Sequence, residues 1–222
     1  MSKGLFITGT GTDVGKTYVT ALIVKKLHQA GLRAGYYKAA LSGASNITDS
    51  DAGYVKRISG IFQPEEEMVS YLYRDAVSPH LAARREGNPV SLSKIRRDYA
   101  KVCKKYDYVT VEGSGGIVCP LRWDEKERIL LADVIKELEL ETLLVADARL
   151  GTIHKTVVTA EYMRSHGLSV KGIVLNCYIG DEMQKDNLQM IETLSGIPVT
   201  ACVGQGEKEF PMDIEGLTLL FT

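Results

Sequence analysis

The sequence predicts an α/β fold, a three-layer sandwich in which a mostly parallel central sheet lies between two layers of helices. Short, continuously apolar runs alternate with segments of helical periodicity along the chain, which is typical of parallel strands covered on both faces. A glycine-rich loop joins the first strand to the first helix. Polar residues follow the strands, at the end where such sheets bind ligands. The 222 residues are expected to form a single domain, 1–222.

Local signals set the boundaries of the predicted elements. The predicted strands are 4–8, 33–37, 107–112, 142–147, 170–176 and 199–203. The predicted helices are 16–30, 152–166 and 181–195, and each is followed by a glycine, Gly31, Gly167 or Gly196, the residue most often found just beyond a helix. A further helix is expected to begin near Asp51. Segment 61–94 is less regular and predicts helices and loops without a domain of its own.

Composition favours a cytoplasmic protein without a nucleic-acid or membrane partner. Lysine and arginine number 27 against 28 acidic residues, for a net charge of −1, so no excess positive charge attracts an anionic surface. The four cysteines are far apart, which predicts reduced thiols rather than a disulfide frame or a zinc site. No signal peptide is expected, and no apolar run approaches the roughly 18 residues that a membrane span needs.

The first loop, Phe6 to Thr17, has the residues of a phosphate-binding loop with one difference. Five residues separate Gly9 from Gly15, whereas the usual motif has four between its glycines. Glycines in this setting let several backbone N–H groups converge on phosphate oxygens. Lys16 is expected to contact the β- and γ-phosphates of a nucleotide, and Thr17 to offer its hydroxyl to Mg²⁺. The sequence therefore predicts a P-loop NTPase-like protein that binds a nucleotide.

Two further strand ends carry charged residues beside small ones. Lys38 follows the second strand and precedes Ser42. It is either a solvated edge residue or a cation that neutralises an anion facing the γ-phosphate. Glu112 ends the strand "YVTVE" and precedes the glycine loop 113–116. A carboxylate there suits Mg²⁺, and the loop could form a second anion-binding nest.

Other polar residues leave two interpretations open. Asp51 could bind metal or cap the helix that begins beside it, and Asp49 is a rival for either role. Asp147 could lie near metal or cap the turn that follows its strand. His154 is expected to be a solvated residue at a helix start, because no serine or cysteine nucleophile pattern accompanies it.

Seven motifs occur in an order and spacing that resemble those of the dethiobiotin synthetase family, over nearly the whole chain. They are "GTGTDVGKT", "YYKAALSG", "DSDAGY", "SPHLAA", "VEGSGG", "LGTIH" and "VLN". The resemblance implies a ligase that joins CO₂ to 7,8-diaminononanoate with ATP and Mg²⁺ in biotin biosynthesis. One amine would become a carbamate, ATP would phosphorylate it, and the second amine would displace phosphate to close a cyclic urea.

The resemblance also implies a role for each matching residue. Catalysis would fall to Thr12, Lys16 and Lys38. Nucleotide contacts would come from Asp13, Val14, Gly15, Lys16, Thr17, Tyr18, Gly113, Ser114, Gly115 and Asn176, with Asn176 reading the adenine edge. Mg²⁺ would be held by Thr17, Asp51 and Glu112, which are also cofactor-binding residues. Substrate would be bound by Thr12, Lys38, Ser42, Gly151 and Thr152, the last two supplied by the opposite subunit of a homodimer to the carboxylate tail.

Three positions depart from the family pattern. Ala39 stands where the family usually has proline, and His154 stands where it has asparagine. After Val203 the usual Gly-x-Ile-Pro is replaced by "GQGEKEF", which affects the segment that holds the base.

Two alternative functions share the phosphate-binding loop. An amide synthase of the cobyrinic acid type would need a glutamine-hydrolysing partner domain, and none is evident. A nucleotide-switched partitioning or regulatory module of the MinD/ParA kind would carry an additional lysine near the start of the loop, where this chain has Thr-Gly-Thr.

Overall fold

A parallel sheet forms the centre of the protein in the computed structural model, which describes residues 2–221. Within this range the chain forms nine strands: β1 Lys3–Gly9, β2 Ala34–Ser42, β3 Val69–Tyr73, β4 Tyr108–Glu112, β5 Pro120–Trp123, β6 Arg128–Leu130, β7 Thr142–Asp147, β8 Val170–Asn176 and β9 Val199–Val203. Seven of them make one sheet in the order β3-β2-β4-β1-β7-β8-β9, and all neighbours in it run parallel. Strands β5 and β6 form a separate antiparallel pair.

Helices connect the strands and cover both faces of the sheet. The described residues form α1 Lys16–Gln29, α2 Asp51–Ser59, α3 Pro79–Arg85, α4 Leu92–Cys103, α5 Leu131–Glu137, α6 Thr152–Ser165, α7 Glu182–Ser195 and α8 Ile214–Leu219, together with a short 3₁₀ turn at Glu65–Glu67. None of these helices has both the length and the apolar character needed to cross a membrane.

The two hydrophobic cores lie on opposite faces of the sheet. Successive strand side chains point to opposite faces, so Leu5 and Ile7 pack into one core while Phe6 packs into the other. The first core also takes apolar residues from α1, α2 and α8. The second takes them from α3, α4, α5, α6 and α7. This arrangement confirms the predicted three-layer α/β fold.

Strand order places a ligand crevice at the carboxyl end of β1. The chain leaves β1 through α1, passes over the position of β4 to reach β2, and later returns to β7 on the other side of β1. Where the direction of winding reverses in this way, the adjoining connections diverge and leave space above the strand ends.

All six predicted strands are confirmed, and the structure adds β3, β5 and β6, for which no strand is predicted. Strand β2 continues through Ala39 to Ser42, five residues beyond the predicted end, because its last residues pair with β3. Segment 61–94 contains the unpredicted edge strand β3. Its sequence, "VSYLY", is only partly buried, so it lacks the continuous apolar run that marks the central strands.

Candidate active site

The principal cavity lies above the carboxyl ends of β1, β2 and β4 and has a volume of about 1120 Å³. Most residues predicted for the site line it: Thr12, Asp13, Gly15, Lys16, Thr17, Tyr18, Lys38, Ser42, Asp51, Glu112, Gly113, Ser114 and Gly115. Val14, Asn176, Gly151 and Thr152 do not. The cavity is therefore formed where the first loop, the end of β2, the start of α2 and the loop after β4 meet.

Gly15 gives the first loop its conformation at the start of α1. It is left-handed, with φ 91°, and a Cβ atom there would lie 2.0 Å from the Nδ2 atom of Asn176. Asn176 is buried at the end of β8, and its Nδ2 donates a hydrogen bond of 3.0 Å to the carbonyl of Val14. Only glycine accommodates both the backbone conformation and the close amide.

Lys16 is buried beneath this loop. Its Nζ donates a hydrogen bond of 2.8 Å to the carbonyl oxygen of Gly11. Burial lowers the pKa of Lys16, although Glu112 opposes the shift. The ammonium group thus lies within the loop whose backbone amides would surround a phosphate.

Glu112 belongs to a buried polar network that also contains Thr17, Lys38 and Asp51. Glu112 is 1% exposed, and its Oε1 accepts hydrogen bonds of 2.7 Å from Thr17 Oγ1 and 2.8 Å from Lys38 Nζ. Lys38 Nζ also donates to Asp51 Oδ2 at 2.6 Å. On the far side of the carboxylate, the Tyr36 hydroxyl donates to Oε2 at 2.9 Å.

The charges in this network stabilise one another. Burial by itself would lower the pKa of Lys38, but its ion pairs with Glu112 and Asp51 outweigh burial and raise it. Burial would raise the pKa of Asp51, yet the neighbouring Lys38 lowers it. Burial raises the pKa of Tyr36 well above its usual value, which keeps the phenol protonated as a donor. Lys38 is therefore a buried cation rather than a solvated edge residue.

The oxygen atoms around Lys38 have the chemistry of a Mg²⁺ site. Thr17 contributes a hydroxyl, and Asp51 and Glu112 each contribute a carboxylate. No group of three or more histidine, cysteine or acidic side chains placed to hold a metal is found within residues 2–221, so an ion here would rely on two carboxylates and the Thr17 hydroxyl. Mg²⁺ prefers hard oxygens and commonly takes only one or two carboxylates beside phosphate oxygens and water, so these residues fit the ion.

The helix cap beside this network is Ser50 rather than Asp51. The Ser50 side chain accepts from the backbone N–H of Gly53, which leaves the Asp51 carboxylate available to Lys38. Asp49 also lines the cavity but is bonded to Asn46. Asp147 accepts hydrogen bonds from the backbone and side chain of Arg149, so it caps a turn away from the network.

Two serines hold neighbouring loops against the site. Ser42 Oγ donates to the Val77 carbonyl at 2.6 Å. Ser114 donates to the Ala40 carbonyl, which joins the glycine loop after β4 to the end of β2. Both contacts lie on the wall of the cavity.

Comparisons with known proteins agree with this geometry. Residues 3–208 match the family model described as an AAA domain. An ATP-dependent dethiobiotin synthetase of Brachyspira hyodysenteriae is 52% identical over 207 residues, which cover 93% of this chain and 94% of that protein. One from Clostridium botulinum (strain Eklund 17B / Type B) is 48% identical over 207 residues, or 91% of each chain. The chain belongs to the dethiobiotin synthetase family.

Solved structures extend the likeness to the fold of other nucleotide-binding proteins. A ParA family ATPase from Chlorobium tepidum has a TM-score of 0.59 at 13% identity, over 98% of this chain and 88% of that one. MinD in the MinC:MinD complex of Aquifex aeolicus has the same TM-score and identity, over 93% of this chain and 83% of that one. At this identity the likeness concerns the fold alone, and the fold is the one that the sequence predicts.

Two predicted substrate residues lie outside the cavity of their own chain in this dethiobiotin synthetase family member. Gly151 is left-handed, with φ 90°, and precedes α6, while Thr152 is buried beside Thr156. His154, in place of the family's asparagine, is exposed in the first turn of α6. Gly151 and His154 are thus exposed, whereas Thr152 is not, and none of the three lines the cavity.

The segment that replaces the family's Gly-x-Ile-Pro is held on α1. The Tyr18 hydroxyl donates to the carbonyl of Glu207. Lys25 donates to the carbonyl of Lys208 at 2.7 Å, and Lys26 to that of Phe210 at 3.0 Å. Residues of the first helix thus hold the loop after β9 next to Tyr18, which lines the cavity.

Sequence reasoning missed several residues that contact the site. Tyr36 bonds to Glu112, and Tyr54, Arg57 and Cys119 line the cavity. Tyr54 and Arg57 follow Asp51 at intervals of three residues, so helical spacing from Asp51 could have predicted both. Tyr36 lies within an apolar run and carries no such signal.

Proposed function

We propose that the protein closes the cyclic urea of dethiobiotin from 7,8-diaminononanoate and CO₂, converting ATP to ADP and phosphate. It would thereby act as a carbon–nitrogen ligase in biotin biosynthesis. The observation that carries this proposal is the position of Lys38, a buried cation bonded to Asp51 and Glu112 in the same cavity as the phosphate-binding loop. The names of the relatives point to the same activity.

The proposed reaction proceeds through three steps. One substrate amine adds to CO₂ and loses a proton to give a carbamate. A carbamate oxygen attacks the γ-phosphorus of ATP, and the bond to ADP breaks. The second amine attacks the carbamate carbon, phosphate leaves with the bonding electrons, and the nitrogen loses its proton to give the cyclic urea.

The chain's own residues would act on this reaction by position and charge. Lys16 and the amides of the first loop would bind the phosphates, as in other phosphoryl-transfer sites. Lys38, with Thr12 and Ser42, would hold the carbamate toward the γ-phosphorus. Holding two reactants in line supplies much of the acceleration that such a reaction requires, so no protein nucleophile is needed.

Mg²⁺ would be held by Thr17, Asp51 and Glu112. When bound, it would supply positive charge to the phosphate oxygens as negative charge develops on them. The support for this set of ligands is the convergence of all three side chains, because Thr17 and Lys38 bond to Glu112 while Lys38 bonds to Asp51.

The nucleotide would be contacted by the first loop, by the glycine loop after β4 and by the end of β8. Asp13, Val14, Gly15 and Tyr18 would surround the phosphates with Lys16 and Thr17, and Gly113, Ser114 and Gly115 would complete the wall. Asn176 would read the adenine edge. Its Oδ1 is buried without a hydrogen-bond partner among the described residues, and an amide oxygen can accept from the exocyclic amine of adenine.

A homodimer would complete the substrate site. Gly151 and Thr152 would bind the carboxylate tail of the substrate bound to the other subunit, at the start of α6. The flanking surface supports a subunit contact, since Leu150 is 83% exposed and Ile179 is 76% exposed. Exposed apolar residues beside an outward-facing site are typical of protein interfaces.

The remaining expectations about location and partners stay predictions. A cytoplasmic location is supported by the four cysteines, all of them free in the structure. The absence of a nucleic-acid or membrane partner is supported by the balanced charge of the chain. No observation favours the MinD/ParA alternative, because its relatives share only the fold.

The test is a phosphate-release assay with purified protein. We expect steady release when 7,8-diaminononanoate, bicarbonate, ATP and Mg²⁺ are all present, and a return to background when any one of them is omitted. Release that does not depend on the diamine would contradict the proposal, since a switch protein or a simple ATPase would behave in that way.

A further inference from the structure

Tyr36 is a fully buried tyrosine that touches a carboxylate of the site without reaching the cavity. It is 0% exposed on β2, and its hydroxyl donates to Glu112 Oε2 at 2.9 Å. It is absent from the residues that line the cavity. Any effect of Tyr36 on the site must therefore act through Glu112.

The two oxygens of Glu112 have different surroundings. Oε1 is the oxygen that Thr17 and Lys38 approach. Oε2 accepts a hydrogen bond from Tyr36 alone among the described residues. Because a buried carboxylate oxygen without a donor is costly, the tyrosine hydroxyl fixes the orientation of the carboxylate, with one oxygen facing inward and the other facing Thr17 and the cavity.

The backbone of Tyr36 is itself held in place by a buried side chain. Gln63 is 0% exposed. Its Oε1 accepts from the Tyr36 N–H at 2.8 Å, and its Nε2 donates to the Tyr36 carbonyl at 2.9 Å. The amide thus substitutes for a neighbouring strand just before β3 begins to pair with β2 at Lys38, and it limits movement of the phenol.

We propose that Tyr36 is a positioning residue for Mg²⁺, which orients Glu112 so that Oε1 is presented to the ion beside Thr17 and Asp51. The proposal rests on the proposed function, specifically on Glu112 as a metal ligand. It predicts that the hydroxyl of Tyr36 matters to metal-dependent nucleotide binding and has little influence on nucleotide binding without metal.

The adjacent tyrosine provides a matched control. Tyr37 is also 0% exposed on β2, but its side chain points to the opposite face of the sheet. There its hydroxyl bonds to Ser70 at 2.6 Å and donates to the Ile95 carbonyl at 3.2 Å. Tyr37→Phe therefore removes a buried, hydrogen-bonded hydroxyl from the same strand without touching Glu112.

Isothermal titration calorimetry with a non-hydrolysable ATP analogue tests the proposal. The dissociation constant is measured with Mg²⁺ and with EDTA for the wild type, Tyr36→Phe and Tyr37→Phe. We expect Tyr36→Phe to reduce the Mg²⁺-dependent gain in affinity about tenfold, the size expected for a lost hydrogen bond to a charged group. The affinity of Tyr36→Phe in EDTA is expected to stay within about twofold of the wild-type value. Tyr37→Phe is expected to leave the dissociation constants with Mg²⁺ and with EDTA unchanged.

A second pair of variants separates positioning from a general loss of structure. Since Tyr36 acts through Glu112, adding Tyr36→Phe to Glu112→Gln should change the Mg²⁺-dependent gain by less than about twofold. The proposal is overturned if Tyr36→Phe weakens binding equally in EDTA, if it leaves the Mg²⁺-dependent gain intact, or if its effect persists in Glu112→Gln. A wild type whose affinity does not respond to Mg²⁺ would overturn the metal site and the role of Tyr36 together, whereas a response in the wild type that Tyr36→Phe retains would overturn the role of Tyr36 alone.

Discussion

Lys38 occupies a position that only a charged network can maintain. Its side chain is 4% exposed. Without a charged partner, an amine buried in this way would lose its proton, because burial disfavours the charged form. Asp51 and Glu112 supply two opposite charges within hydrogen-bond distance, so the amine remains a cation. A fixed cation beside a phosphate-binding loop stabilises negative charge as it develops during phosphoryl transfer.

Replacing Lys38 by methionine is expected to reduce catalysis far more than nucleotide binding. Methionine keeps much of the volume but removes the charge that would face the carbamate. We expect kcat to fall by at least about 100-fold, with the dissociation constant of the nucleotide changed by less than about threefold. Phosphate release and calorimetry measure the two quantities. Lys171→Met removes a partly exposed lysine paired with Glu141 and serves as the control; equal losses of catalysis and binding in Lys38→Met would contradict the proposed role.

The first loop offers a prediction about two of its glycines. Gly15→Ala forces a left-handed residue to carry a Cβ atom 2.0 Å from Asn176, and we expect it to lower the free energy of unfolding by about 2 kcal/mol or more. A Cβ atom at Gly11 meets nothing within 4 Å. Gly11→Ala is therefore expected to change the free energy of unfolding by less than about 0.5 kcal/mol. Urea denaturation compares the two variants, and equal destabilisation would show that the contact with Asn176 does not constrain the loop.

The sequence could predict the charged residues of the site but not the residue behind them. Lys38 and Glu112 are visible because each is polar at the end of an apolar strand, and parallel pairing brings them opposite each other. Tyr36 lies two residues earlier, within the apolar run, where an aromatic residue is interpreted as core. Its contact with Glu112 depends on the register between β2 and β4, which local sequence does not specify.

At the scale of single elements, one difference between expectation and structure concerns the edge strand β3 and the end of its neighbour β2. The central strands were predictable because burial on both faces requires continuous apolar residues. The edge strand β3 is half-exposed, and its pairing with β2 depends on contacts distant in sequence. For the same reason, the end of β2 could not be placed until β3 was known to extend it to Ser42.

Helix α4 is joined to β3 by an acidic residue whose titration predicts a pH dependence of stability. Asp98 accepts hydrogen bonds from Lys94, Lys101 and Ser70. Burial would raise the pKa of Asp98, but these donors lower it to about 2. Because the pKa of the folded state lies below that of the unfolded state, the stabilisation is complete above about pH 4 and disappears as the pH falls toward 2.

Asp98→Asn should therefore lower the free energy of unfolding at neutral pH. The decrease should become smaller as the solution becomes more acidic. Since the partner lysines are partly exposed, we expect a loss of about 1 kcal/mol at pH 6. The difference in free energy of unfolding between the wild type and the variant should decrease as the pH falls from about 4 toward 2. Urea denaturation at pH 6 and pH 3 measures this difference, and a difference that stays constant over this range would contradict the assigned pKa.

On the scale of the whole molecule, the proposed substrate site divides into an inner part and an outer part. The phosphate-binding loop, Lys38 and Glu112 lie in one cavity of the chain. Gly151 and Thr152 lie outside that cavity, beside exposed apolar side chains. Local sequence could not predict a subunit contact here, because apolar residues in a loop occur in monomers and in dimers alike.

Leu150→Asp tests the proposed subunit contact. A carboxylate at an apolar interface is costly to bury, so we expect the dimer dissociation constant to rise at least about tenfold, with a higher KM for the diamine and an unchanged affinity for the nucleotide. Leu219→Asp, a change of another highly exposed leucine at the end of α8, is the control. Analytical ultracentrifugation measures the assembly; a wild type that is monomeric throughout the concentration range would contradict the proposed dimer.

The most direct test of the central claim is the fate of labelled carbon. Purified protein is incubated with 7,8-diaminononanoate, ATP, Mg²⁺ and ¹³C-bicarbonate, and the products are identified by mass spectrometry. We predict dethiobiotin that carries the label in its ureido carbon, formed in equal amounts with ADP and phosphate. ADP and phosphate without labelled dethiobiotin would contradict the account, because the cavity around Lys38 would then couple ATP cleavage to a different acceptor or to none.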